Sequence, residues 1–344
     1  MIRILVLATL CLLVGAWMAC GGVTPLPVPA TSTDGGDPVY GGPNAPPVSA
    51  VPAVSGQLLF INISQVLSYK LPSVDAKEVT AFGEGRYPGG ISATPDGSLV
   101  AFSLYQPGPT PRELGGTDIF VMRPDGSDRR VFVAHKLAGG ALLNPEWSSD
   151  GKFLYYTHWG PKGEQQIERV NADGSGETKI VDNAHNPTVA QGKLVYLSQD
   201  PKTRLDSIYI ANTDGTNPKQ LFDTSQFDLI ATPKFSPDGK RIVFVAVGGP
   251  AGYTKAIEQD GGWFEPSAAE AHGVPFDAWM INADGTGMTQ LTNIQEDSPA
   301  PAWSADGKWL ALGGEIGMYL VKVDTKEIIR ITDQPGLGGL AWVK

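Results

Sequence analysis

Cysteine is almost absent: the 344 residues hold two, Cys11 and Cys20. Cys11 falls inside an apolar N-terminal run that reads as removable. One cysteine is then left, so neither an intramolecular disulfide nor a cysteine-based metal site can form, and stability has to come from burial. Histidine is scarce too, with four in the chain. No long helical period occurs anywhere. A G-x-S-x-G elbow, a phosphate loop and a dinucleotide fingerprint are all missing. The formal net charge of −10 argues against nucleic acid or anionic lipid as a partner.

What is present begins with an address. Arg3 precedes an apolar stretch, residues 4–18, too short and too near the terminus for a permanent membrane span. Cleavage after Ala19 would put bulky Trp17 three positions before the cut, which suits ordinary signal peptidase poorly. It would leave Cys20 first, as in a bacterial lipobox, with Trp17 where leucine is usual. The expectation is a lipoprotein-type signal peptide over residues 1–19 and a lipid anchor on Cys20. Two acyl chains there suffice for stable anchoring. The chain is then exported and held on the extracytoplasmic side of a bacterial membrane, in the periplasm or at the cell surface. The competing reading is a soluble secreted protein with a free N-terminal cysteine. Residues 20–55, rich in Pro, Gly, Ser, Thr and Ala, read as a flexible tether.

A short pattern recurs over the rest. Residues 144–152 read N-P-E-W-S-S-D-G-K, residues 232–240 T-P-K-F-S-P-D-G-K, and residues 300–308 A-P-A-W-S-A-D-G-K, with a weaker copy at 91–98. Each is followed by an apolar strand and then by another that ends near a second Asp-Gly. A repeat of this length building four short strands is one blade of a β-propeller. Asp-Gly suits tight hairpins, because Gly accepts positive φ and Asp tolerates it. Second strands and third strands each number six. Five first strands precede their partners, and the sixth, around Trp342, comes last. The expected fold over residues 56–344 is all-β: a six-bladed propeller of four-stranded antiparallel blades, whose N-terminal blade is closed by the C-terminal strand.

The P-x-W-S-P-D-G-K repeat with its D-G-S/T turn resembles the TolB-type, WD40-like propeller family across essentially all of residues 57–344. The resemblance implies the fold and, for related propellers, partner peptides received around the central channel mouth. A separate α/β domain precedes the propeller in TolB, where this chain shows the tether. Prolyl peptidases with related repeats append a hydrolase domain, and this chain is expected to lack that activity because it stops at the closing strand.

Strand alternation puts every Asp-Gly turn on one face and the longer connections on the other, where binding function concentrates. Residues 107–116, with Arg112, and 247–277 are the two insertions. The second carries Tyr253, Trp263, Phe264 and His272; its aromatics either anchor a ligand or pin the loop to the propeller. His135 and His185 map to connections from fourth to first strands, and His158, beside Trp159, and His272 to connections from second to third. Channel-mouth candidates are Arg86, Tyr87, Asn144, His185, Asn186, Asp228 and Asp297, which either recognise a partner or cap a water-filled channel. The leading expectation is a non-catalytic module that binds an envelope protein or peptide. The alternatives are a metal-dependent uronate lyase using the histidines and a non-catalytic carbohydrate-binding module. No cofactor is expected. Asn-Ala-Asp-Gly at 171–174 and 282–285 lacks the remaining ligands of a calcium loop and reads as hairpin.

Overall fold

The computed structural model describes residues 44–110, 112–250, 275–336 and 338–344, and among these all regular structure is strand. Cys20, most of the tether, and Tyr253, Trp263, Phe264 and His272 lie outside the described residues. The strands, in chain order, begin with β1 (Gly56–Asn62), β2 (Gln65–Leu71) and β3 (Lys77–Ala81). Next come β4 (Pro88–Ala93), β5 (Val100–Gln106), β6 (Gly116–Met122) and β7 (Arg130–Val133). They are followed by β8 (Ala141–Trp147), β9 (Phe153–Trp159), β10 (Gln165–Asn171) and β11 (Thr178–Asp182). Then come β12 (His185–Ala190), β13 (Lys193–Gln199), β14 (Asp206–Asn212) and β15 (Lys219–Gln220). The next set is β16 (Phe227–Phe235), β17 (Arg241–Gly248), β18 (Pro275–Asn282), β19 (Thr289–Gln290) and β20 (Glu296–Asp297). The last are β21 (Ala300–Trp303), β22 (Trp309–Gly313), β23 (Met318–Lys322), β24 (Glu327–Thr332) and β25 (Leu340–Val343).

Hydrogen bonding groups them into five sheets. One runs β25-β1-β2-β3, with Leu58 opposite Trp342. Three others run β12 to β15, β16 to β19 with β20 added on β18, and β21 to β24. The fifth has eight strands: two antiparallel sets, β4 to β7 and β8 to β11, joined by one parallel pair, Thr117 with Ala141.

Both faces of these sheets are covered, so the inner strands read as continuous apolar runs rather than as alternating ones. In β1, Leu58 and Phe60 pack with Met318 and Leu320 of β23, while Leu59 and Ile61 face Val100 and Phe102 of β5. Each such side chain contributes about 1.5–3 kcal/mol of burial.

The hairpins follow one rule. Ser148 Oγ donates to Asp150 Oδ1 (2.7 Å), and that oxygen also accepts the Lys152 N–H (3.1 Å). Thr94–Asp96, Ser236–Asp238 and Ser304–Asp306 repeat the side-chain bond. Hydrogen bonds from Thr94 and Ser98 hold the Asp96 carboxyl down to about 2. At the other hairpins Asp125, Asp173, Asp214 and Asp284 accept the N–H two residues on, each at 2.9 Å. The 171–174 and 282–285 loops thus use those oxygens within the turn.

Residues upstream of 56, assigned to the tether from composition, are partly built into the domain. Val48 pairs in parallel with Arg330, and the Ser49 N–H donates to the Arg330 carbonyl at 2.8 Å. Val51 and Val54 pack against the cluster around Leu58 and Met318. Proline-rich composition hid this, because the side-chain contacts come from a few small or mid-sized residues, Ala45, Val51 and Val54, set among prolines.

Candidate functional site

The innermost strands, β25, β4, β8, β12, β16 and β21, bring the repeat pattern to the axis. The residue before the recurring proline bulges out of register in several of them. Gly90 (φ 48°), Asn144 (φ 51°), Asn186 (φ 51°) and Thr232 (φ 44°) occupy that place in the left-handed region. Asparagine tolerates this conformation, whereas a β-branched Thr is strained there. Neighbouring bulges touch: Asn144 Nδ2 donates to Asn186 Oδ1, and a Cβ on Gly90 would lie 3.0 Å from Asn144 Cα. The Asn186 N–H donates to Thr157 Oγ1 at 3.0 Å.

Three histidines are described, and each uses one ring nitrogen on a carboxylate of a third strand. His135 Nδ1 lies 2.5 Å from Asp118 Oδ1, which also accepts the His135 N–H at 2.8 Å. His158 Nδ1 lies 2.7 Å from Glu168 Oε1, and His185 Nε2 lies 3.0 Å from Asp206 Oδ1. His135 sits in the β7–β8 connection. His158, however, is inside β9 and His185 begins β12, because both strands run further towards the loop end than the sequence suggests. Burial pushes the Glu168 carboxyl up, but hydrogen bonds from His158, Gln166 and Tyr156 outweigh it and hold it below its ordinary value. These pairs belong to separate strand sets. Among the described residues no group of three or more His, Cys, Asp or Glu is placed to hold a metal ion. Sequence reasoning singled out the histidines but not their carboxylates, whose signal is an acidic residue early in the third strand.

The remaining mouth candidates are dispersed. Arg86 is exposed and donates from Nε to Gln106 Oε1 at 3.0 Å. Tyr87, Arg112 and Asp228 are exposed, Trp159 closes β9 opposite Gln165, and Asp297 accepts the Ser298 hydroxyl at 3.0 Å. A cavity of about 340 Å³ lies on the axis, but at the hairpin end. Thr94, Gly97, Ser149, Ser236 and Ala305 rim it, and none of the mouth candidates lines it.

Glu296 on β20 is fully buried. Its Oε1 accepts the Ile316 N–H at 2.8 Å, and a Cβ on Gly314 would collide with its Cγ. Burial pushes its carboxyl above the ordinary 4.5, against the pull of the Ile316 N–H. The folded state therefore binds this proton more tightly than the unfolded chain. The resulting stabilisation is complete below the ordinary value and is lost as pH rises towards the raised one. Glu296→Gln keeps the acceptor oxygen and removes the titration. Thermal melts across the range from pH 4.5 to neutrality should show a flatter pH dependence and a Tm a few degrees higher at neutral pH. An unchanged slope contradicts this assignment.

No family model matches the chain. An uncharacterised protein of Agrobacterium fabrum is 30% identical over 142 residues, a match covering 37% of this chain and 46% of the relative. The matched part is thus less than half of that relative's length. Among solved structures, TolB from Acinetobacter baumannii superposes with a TM-score of 0.60 at 16% identity, over 84% of this chain and 66% of that one. A putative TolB from Agrobacterium tumefaciens gives 0.55 at 18% identity, over 73% and 83%. A chain of a nidogen/laminin complex gives 0.60 at 14%, over 84% and 99%. At such identities the likeness is one of fold, and this fold is an all-β, TolB-like propeller.

Proposed function

We propose that the protein is a membrane-anchored, extracytoplasmic propeller that binds an envelope protein or peptide through its loop-bearing face and has no catalysis of its own. The observation that carries this reading is the placement of exposed apolar side chains. Among the described residues seven large hydrophobics are exposed. Five of them, Ile63, Tyr87, Leu114, Leu137 and Leu205, sit in connections at the loop end. The other two are Val48, upstream of β1, and Val131 on β7. Leu114 and Leu137 are 70% and 55% exposed and belong to adjoining connections, which are tied by the Gly139 N–H to the Gly115 carbonyl at 2.7 Å. Ile63 is 69% exposed and held at φ 50°, a conformation that a β-branched residue adopts only under strain. Apolar groups gathered on one face fit a protein partner better than bulk water.

In this reading the strands form six blades, closed by β25. Two facts support it: the eight-stranded sheet is two antiparallel sets with a single pair between them, and β25 lies against β1. Cys20 carries the lipid. The anchor is tested by Cys20→Ser, which should move the protein from the membrane fraction to the soluble extracytoplasmic fraction; a variant still sedimenting with membranes refutes lipid anchoring.

A further inference from the structure

The third residue of the recurring pattern points to a second site, at the opposite end from the loop face. Ser92, Glu146, Thr188, Lys234, Ala302 and Ala341 hold that position on β4, β8, β12, β16, β21 and β25, and all six line the axial cavity. Four successive members are polar and the next two are alanines, so the lumen is polar on one side and apolar on the other. The alanines also leave the space: longer side chains there would fill much of the roughly 340 Å³.

At the polar side Lys234 Nζ meets Glu146 Oε2 at 2.5 Å, reaching past the intervening strand β12. The two side chains are 25% and 16% exposed, shielded but open to the cavity. Thr188 Oγ1 lies 3.3 Å from Glu146 Oε1 and accepts the Phe235 N–H at 3.1 Å. A lysine ammonium has three N–H donors, and the bond to Glu146 uses one.

Two opposite charges side by side on the wall of a sheltered space form a dipole. A free anion or cation approaching it meets a like charge as closely as an unlike one, and Coulomb terms at this range are strong away from bulk water. A ligand dipole of the same length, reversed, meets an opposite charge at both ends. An α-amino acid is such a dipole, with its ammonium and carboxylate about 3 Å apart. Its side chain would then lie against Ala302, Ala341 and Pro301, which favours an apolar one.

We propose that the axial cavity binds a free apolar α-amino acid, with the ammonium on Glu146 and the carboxylate on Lys234. The site is independent of the loop face and of whatever that face binds. Isothermal titration of the intact chain with L-leucine, N-acetyl-leucine and leucine methyl ester tests it, since each derivative lacks one of the two charges. Leucine should bind, and each derivative should bind at least about tenfold more weakly. Glu146→Gln and Lys234→Gln should each weaken leucine binding by at least about tenfold. The exchange of Glu146→Lys together with Lys234→Glu should recover it, because the reversed pair accepts the reversed zwitterion; thermal melts establish that each variant is folded. The proposal is overturned if leucine does not bind, if the derivatives bind as well as leucine does, if the single variants leave binding unchanged, or if the folded exchange variant fails to recover it.

Discussion

Deleting Leu340–Val343 together with Lys344 should abolish cooperative unfolding, the largest effect expected of any change considered. The strand contributes the pairs Gln57–Val343 through Phe60–Leu340 to β1, and without it that side of β1 becomes an open edge. Leu340 leaves the cluster around Phe60 and Met318, while Ala341 and Val343 leave the cluster around Phe102. Loss of these buried side chains alone costs about 4–5 kcal/mol, against a total stability of about 5–15 kcal/mol for a protein of ordinary stability. Trp342 adds a hydrogen bond from Nε1 to the Ser55 carbonyl at 3.2 Å, and Gly56 has no Cβ where that indole passes. Circular dichroism should show no sharp melt for the truncated chain. Val343→Ala, which trims two methyl groups from the same strand, should remain folded and lose about 1–2 kcal/mol. A truncated chain melting like the intact one would remove β25 from the account of stability.

The second large effect concerns binding. Leu114→Asp combined with Leu137→Asp puts two charges where exposed side chains now form an apolar surface. Both residues already face solvent, so folding stability should change little. For a partner that buries them, the loss should be at least about 30-fold in affinity, the scale of one interface hot spot. Co-purification of the partner with the wild-type chain, followed by titration of both forms, measures it. Equal affinity would show that the partner binds elsewhere.

How much of this was legible in the sequence depends on how local the signal is. The hairpins were readable because Asp150, Asp238 and Asp306 satisfy their own turns, with bonding partners two residues away. The all-β propeller followed from repetition of that unit. Side-chain contacts across strands were not readable. Nothing near His158 announces Glu168, and nothing near Glu146 announces Lys234, 88 positions away. The axial cavity was not readable either: its space is left by Ala302 and Ala341, small residues that carry no pattern of their own. The bridge at Val48 and the packing of Val51 and Val54 escaped for a similar reason: a proline-rich stretch looks unstructured until the surface it lies on is known.

The most direct test of the loop face as the working surface is site-specific photocrosslinking in intact cells, with the photoreactive residue placed at Leu137 in one strain and at Lys308, in an Asp-Gly hairpin, in another. A discrete crosslinked partner is expected from position 137 and none from position 308. A partner captured from 308 and not from 137 would contradict it.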